Sequence, residues 1–392
     1  MGWNRYNYYN CFPNETIIKS NADGLITSGL AALGYRMVTT DCGWPAADRD
    51  IAGKLQFNPN LFPSGGAALG RYLHGRGLKF GLYSGGGYYQ CGGDAHVPAS
   101  LGKEALEAQT YDEWEGDSLK YDNCFANSTT IMVDYNGPVG PRQLVFKPWP
   151  MLWLLSAALS SYYVCKWGVG TNVAAWASAI GNTYRISNDI WKGWDSIWRI
   201  ANQVVPYYKW TKPGTFSGMD VLTVSLGGLT PTEERFHFSL WAINKFPLII
   251  GVSVAGTNLP ADSKAVLSNR EVISINQDAL GKGAQLVRRY GPEQWDIWAG
   301  DLSGSRKVVA LANWKNSSQT VKLDFRSVGV ESARSRDVWA ARDVGSFSRT
   351  RLPSRPTRAE ASGALQNHCI SSLQACRLLP GSCRNSGRHG KG

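Results

Sequence analysis

Apolar and polar positions switch between two periods along the first 285 residues. Leu33-Gly34-Tyr35-Arg36-Met37-Val38-Thr39-Thr40 reads as a strand ending at Asp41. Gly66 to Arg76 has apolar residues at helical spacing, and Leu78-Lys79-Phe80-Gly81-Leu82-Tyr83 is a strand again, closing on a glycine-rich turn. Leu106 to Trp114 is predicted helical, Ser118-Leu119-Lys120-Tyr121 is the next strand, and Trp191 to Ile200 returns to helical spacing. Near-continuous alternation of this kind predicts a parallel sheet with helical crossovers. Two observations favour a closed (β/α)8 TIM barrel over a doubly wound sheet. No G-x-G-x-x-G turn follows the first strand. Polar residues also recur just past several different strands, at Asp41, Tyr83, Asp122, Trp167 and Asp189, and barrel enzymes assemble their sites from such strand ends.

The texture changes at about Leu286. Gln294 to Gly300, Lys307 to Trp314 and Gln319 to Phe325 are strand-like with partial period-two alternation and short turns between them. Residues 1–285 are therefore expected to be the barrel, and 286–347 a C-terminal antiparallel β-sandwich domain. Two segments do not fit. Residues 142–161 fall where a crossover helix is due, yet Phe146-Lys147-Pro148-Trp149-Pro150 carries two prolines that oppose a regular helix. Residues 348–392 are rich in Arg, Ser and Pro without a period, and read as an irregular basic tail that leaves the β domain incomplete. Two readings stay open for these segments: an irregular loop with a disordered tail, or a mistaken reading frame or splice junction.

Composition narrows the function classes. The chain has 392 residues, 43% hydrophobic and only 18% charged, with 43 Gly and 16 Trp; this suits a compact enzyme and argues against global disorder. The formal charge of +11 would suggest nucleic acid if it were spread over the chain. From Arg349 onward, however, eight Lys/Arg stand against one Glu. The body is nearly balanced, and no nucleic-acid partner is expected. The eight cysteines form no C-x-x-C pattern, so no metal site is expected. Sequons at Asn14, Asn127 and Asn316 make these residues glycosylation candidates, and with the spread cysteines they lean towards an extracellular setting. No basic, apolar leader precedes Trp3. The run from Trp149 to Leu155 is too short and proline-interrupted for a membrane span, so no membrane partner is expected.

The candidate chemistry rests on carboxylates at strand ends. In Lys120-Tyr121-Asp122-Asn123-Cys124, side-chain alternation puts Lys120 on the same side as Asp122. A nearby cation is expected to lower the pKa of Asp122 and keep it ionised, as a nucleophile requires. In Arg185-Ile186-Ser187-Asn188-Asp189, Asp189 is a candidate partner carboxylate and Arg185 a substrate clamp. A retaining glycosidase needs two carboxyls about 5–5.5 Å apart. The alternative for either Asp is plain helix capping. Asp41 beside Trp44 suits sugar hydroxyls and the apolar faces of pyranose rings, with core packing the alternative for Trp44. Asp220 reads as a buried, hydrogen-bonded carboxylate rather than a catalyst. His74 and His237 read as surface or packing residues. These two carboxylates suffice for the chemistry, and no cofactor is implied.

Several motifs in order resemble one family, the α-galactosidases (melibiases) of glycoside hydrolase family 27. They are Met1-Gly2-Trp3-Asn4, Thr40-Asp41-Cys42-Gly43-Trp44, Phe62-Pro63-Ser64-Gly65, Gly77 to Tyr83, Lys120 to Cys124, Arg185 to Ile190, His237 to Ala242 and Asn276-Gln277-Asp278. The form around Asp41 is similar to the fungal branch. The resemblance spans residues 1–138 and 162–347. It implies a (β/α)8 barrel followed by an antiparallel β domain, and retaining hydrolysis of terminal α-D-galactose from a carbohydrate substrate: galacto-oligosaccharides, galactomannans or glycoconjugates. It implies Asp122 as nucleophile and Asp189 as acid/base. Tyr6, Asp41, Tyr83, Lys120, Trp167 and Arg185 would bind the sugar, and disulfides would join Cys11–Cys42 and Cys91–Cys124. It further implies a secreted protein whose leader precedes Gly2. Departures are Thr40, Lys166 and Ser217-Gly218-Met219-Asp220. An α-N-acetylgalactosaminidase and an inactive galactose-binding homologue are the alternatives. Oligomeric state is not legible.

Overall fold

A computed structural model describes residues 1–92, 97–126, 160–168, 172–256, 259–315 and 317–348, together with two strands over 360–365 and 369–375. The chain divides into two compact units, Met1–Gln285 and Leu286–Gly392.

The first unit is built on eight parallel strands: β1 (Gly2–Asn4), β2 (Met37–Thr39), β3 (Lys79–Gly85), β4 (Ser118–Asp122), β5 (Ser161–Val164), β6 (Thr183–Arg185), β7 (Phe216–Gly218) and β8 (Ile249–Ile250). The strands pair in chain order from β1 to β7, and β8 returns beside β1. Leu222, just past β7, bridges Ile250 and closes the (β/α)8 barrel; its N–H donates to Ile249 O at 2.7 Å, and Gly251 N–H donates to Leu222 O at 2.9 Å. Residues 142–159 lie outside the described residues, but Ser161 already belongs to β5, seated between β4 and β6.

Alternation decides what each strand shows to the bore. On β4, Leu119 and Tyr121 are buried outward, while Ser118, Lys120 and Asp122 share the inner side. The helices that cover the barrel start where their caps dictate. Asn14 accepts the Ile17 N–H at the head of Glu15–Thr27. Thr230 and Glu233 form a reciprocal capping box ahead of Pro231–Ile243. Trp3, Leu25, Val38, Phe80, Leu82, Ile197 and Trp241 are fully buried between strands and helices. A small pocket in the bore is lined by Ser118, Thr183 and Phe246 together with Lys120, Cys165, Arg185 and Asp220.

The second unit carries β9 (Gln285–Tyr290), β10 (Trp295–Leu302), β11 (Arg306–Asn313), β12 (Gln319–Asp324), β13 (Ser332–Asp337), β14 (Arg342–Ser348), β15 (Glu360–Leu365) and β16 (Cys369–Ala375). One sheet runs β14-β13-β16-β11-β10-β9, and β12 pairs with β15. Trp295, Ile297, Val309, Val321, Leu323, Phe325 and Val330 form its apolar core. The reading of 348–392 as an unbroken irregular tail is thereby corrected. β15 and β16 lie inside it, and β16 inserts between β11 and β13. Both strands are dominated by small and polar residues, so the period-two signal is weak and the pairing is set by their neighbours.

Candidate active site

Side chains from the ends of seven strands, β1 to β7, converge at the C-terminal end of the barrel. Asp122 ends β4. Its Oδ2 accepts from the Tyr83 hydroxyl of β3 at 3.0 Å, and its Oδ1 accepts from Asn123 N–H at 2.9 Å. Asp41 follows β2. Its Oδ2 accepts from Asn4 Nδ2 at 2.6 Å and from Lys120 Nζ at 2.9 Å, and its Oδ1 accepts from Cys42 N–H at 2.9 Å. Beneath it, the buried Arg5 donates to Thr40 O and Asn10 O. Lys120 also stands over the rings of Tyr83 and Tyr6, at 5.1 Å and 5.8 Å from their centroids.

A second cluster meets the first from β6. Arg185 Nη2 donates to Asp189 Oδ1 at 3.0 Å and to Ser187 O at 3.1 Å, and lies 3.0 Å from Asp220 Oδ2. Asp220 also accepts from Ile190 N–H and Val221 N–H, both at 2.8 Å, so it is the buried, fully bonded carboxylate that its sequence setting suggests. Asp189 keeps about a third of its side-chain surface exposed, whereas Arg185 and Asp220 are buried. Cys165, just past β5, is a buried free thiol 3.9 Å from Arg185 Nη1.

The electrostatics follow from burial and pairing. Burial opposes charge on Asp41, but Lys120 and Arg5 outweigh it and hold the carboxyl below its ordinary range. Asp122 goes the other way. Burial is the largest influence, Lys120 counters it, Asp189 and Asp41 add to it, and the pKa is pushed up to about 6. The expectation that Lys120 would hold Asp122 low is thus corrected: Lys120 gives its hydrogen bond to Asp41, and desolvation wins at Asp122. Burial and the charges of Asp189 and Asp41 likewise raise Tyr6 to about 12. Asp122, Asp189, Asp41 and Tyr6 therefore occupy one electrostatic neighbourhood.

The surrounding shell is stapled. Cys11–Cys42 joins the loops after β1 and β2, and Cys91–Cys124 joins those after β3 and β4. Each bond sits within two residues of a site carboxylate, Asp41 or Asp122. Trp167 packs with Cys124, Phe125 and Cys165 rather than standing free in the cleft, and Lys166 lies 5.3 Å from its ring. Asp41, Trp167 and Asp220 all have positive φ, at 52°, 53° and 71°. Strain of this kind costs about 1 kcal/mol or more per residue and gathers at functional sites. One grouping among the described residues, Cys91, Asp122 and Cys124, brings potential metal-ligand atoms together, but its sulfurs are bonded to each other and are not thiolates.

Sequence reasoning missed Arg5 and Cys165. Arg5 is a lone cation beside Asn4 and carries no periodic signal; Cys165 is a single cysteine with no motif to single it out. His237 is buried, accepts from Thr223 N–H at 2.9 Å, and is held neutral by burial with its pKa at about 3. His74 is a partly exposed partner of Glu115 and Asp117. Asn127 and Asn316 lie outside the described residues; Asn14 serves as a helix cap.

The arrangement brings a buried carboxyl and a partly exposed one into one electrostatic neighbourhood, with tyrosine, lysine and arginine around them. That is a setting for nucleophilic and acid–base chemistry on a polyhydroxylated substrate. Residues 5–278 match the family model described as alpha galactosidase A, and residues 292–359 that described as alpha galactosidase C-terminal beta sandwich domain. The chain is 45% identical over 358 residues to the probable alpha-galactosidase D of Aspergillus fumigatus, a match that covers 88% of this chain and 54% of that protein. It thus spans about half the length of the curated relatives it matches. Alpha-galactosidase I from Mortierella vinacea superposes with a TM-score of 0.86 at 28% identity, covering 96% of both chains. The Saccharomyces cerevisiae α-galactosidase structure with raffinose shares the fold, with a TM-score of 0.82 at 24% identity over 95% of this chain and 96% of that one.

Proposed function

The chain belongs to the alpha galactosidase (melibiase) family, and from that membership we propose that it is a retaining α-galactosidase that removes terminal α-D-galactose from a carbohydrate chain. Asp122 attacks the anomeric carbon while Asp189 gives its proton to the departing glycosidic oxygen. Asp189 then takes a proton from the water that releases galactose from Asp122. The observation that carries this reading is the unequal pair in one neighbourhood. Asp122 is buried and held by Tyr83, and Asp189 is partly open to solvent, where a leaving group and then water would stand. Asp41, Lys120 and Arg185 offer charged partners for sugar hydroxyls.

The likeness to relatives called alpha-galactosidases favours plain galactose over its 2-acetamido derivative. The two disulfides support an extracellular setting.

Asp122→Asn is the direct test. Turnover of an α-galactoside is expected to fall by at least about 10³-fold, with galactose affinity within a few fold of wild type. Wild-type turnover in this variant, or a wild type that binds galactose and turns nothing over, would reject the proposal. Kinetics on paired nitrophenyl α-galactoside and α-N-acetylgalactosaminide decide the substrate; preference for the second would reject the choice of galactose.

A further inference from the structure

Aromatic side chains that water ought to disfavour stand around the site. Five aromatic residues among the described ones are about half exposed or more: Tyr8, Phe12, Tyr88, Trp191 and Trp198. Trp198 lies on the helix Trp194–Gln203. The other four lie on segments leaving the C-terminal ends of β1, β3 and β6, the ends that carry the site. Tyr8 is two residues past Tyr6, Tyr88 five past Tyr83, and Trp191 two past Asp189. Phe12 follows Cys11, whose disulfide partner Cys42 adjoins Asp41.

Hydrogen bonds hold these positions together. Asn7 Nδ2 donates to Ile190 O at 2.7 Å, which ties the residue before Tyr8 to the residue before Trp191. Tyr8 leans edge-on against Tyr9 at 4.7 Å, and the Tyr9 hydroxyl donates to Ser253 Oγ at 2.8 Å. Tyr88 N–H donates to Phe125 O at 3.2 Å, which sets Tyr88 beside the segment that follows Asp122. A single exposed aromatic needs no explanation. Several, all on segments that leave the strand ends carrying the site, are a concentration of exposed apolar surface of the kind that marks a binding site.

The chemistry of the patch complements that of the pocket. Charged groups inside meet hydroxyls, and flat aromatic faces outside meet the C–H faces of further sugar rings. Trp191 stands on the Asp189 side, from which the leaving group would depart. We propose that Tyr8 and Trp191, with Tyr88, form a platform for the sugar residues beyond the scissile bond, so that this chain selects oligosaccharide galactosides over galactosides with a small leaving group. This rests on the α-galactosidase reading.

The test compares kcat and KM on α-galactosyl fluoride, which has no sugar beyond the cleaved bond, with those on raffinose, which has two. For Trp191→Ala and Tyr8→Ala, KM for raffinose is expected to rise about three- to ten-fold, the size of an aromatic contact. The values for the fluoride should stay at wild-type levels, and Trp191→Phe should recover most of the raffinose loss. Equal losses on both substrates, or no loss on either, overturn the platform alone. A wild type that cannot turn over the fluoride overturns the α-galactosidase reading, and the platform with it.

Discussion

On the proposed mechanism Asp122 must be ionised to attack, and burial works against that. Its pKa stands at about 6, so kcat/KM should fall as pH drops below about 6 while the free chain takes up the proton. The Tyr83 hydroxyl opposes this by donating to the charged carboxylate. Tyr83→Phe removes a hydrogen bond to a charged group, a loss of about 1.5–3 kcal/mol. The acid limb of the pH–rate profile should therefore move to higher pH, and kcat/KM should drop about tenfold or more. A profile with an unmoved limb would show that Tyr83 does not set the ionisation of Asp122. At this scale the sequence was informative about which residues meet. Asp41, Tyr83, Lys120, Asp122, Arg185 and Asp189 were all legible at strand ends. Their pairing was not. Alternation places Lys120 on the inner side, but only the three-dimensional packing decides that its ammonium goes to Asp41 across 79 residues.

Elements hold these residues through close backbone approaches that demand glycine. Gly168, three residues past Cys165, has φ of +68°, and any Cβ there would collide with the carbonyl of Ile186 in the next strand exit. Gly168→Ala should cost about 2 kcal/mol or more and raise KM, because it pushes the Cys165–Trp167 segment away from the Arg185–Asp189 segment. Thermal unfolding with steady-state kinetics checks this; an unchanged Tm and KM would mean that the two exits are not coupled. Elements with strong periodicity, such as β3, β4 and the helix Gly65–His74, lie within a few residues of their sequence reading. Short ones were less legible. β8 is two residues long, and closure beside it passes through a single bridge at Leu222. β15 and β16 have too few large apolar residues to announce themselves, and become strands because β11, β12 and β13 present edges to pair with.

For the molecule as a whole, Asp122 also bears on folding stability. A carboxyl whose pKa rises from 3.8 in the open chain to about 6 in the fold contributes stability that is fully present below pH 3.8. That contribution is lost as pH rises through about 6, because the folded state must then hold a buried anion. The forgone stability above pH 6 is on the order of 3 kcal/mol. Asp122→Asn removes the charge and keeps the shape, so the variant should melt above wild type at neutral pH, and the gap should close as pH falls towards 4. Two other pH-dependent effects cancel in this difference. His237 is held neutral with a pKa of about 3, against 6.5 when unfolded; it weakens both proteins equally as pH falls below 6.5. Self-repulsion on a chain already at +11 also grows on acidification in both. Differential scanning calorimetry of the pair from pH 4 to 8 reads the gap directly. A gap that is constant with pH would mean that the fold exacts no cost for ionising Asp122. A gap that widens towards neutral pH would show that the carboxylate proposed for the chemistry is kept in the fold at a loss of stability, where function rather than folding explains its presence.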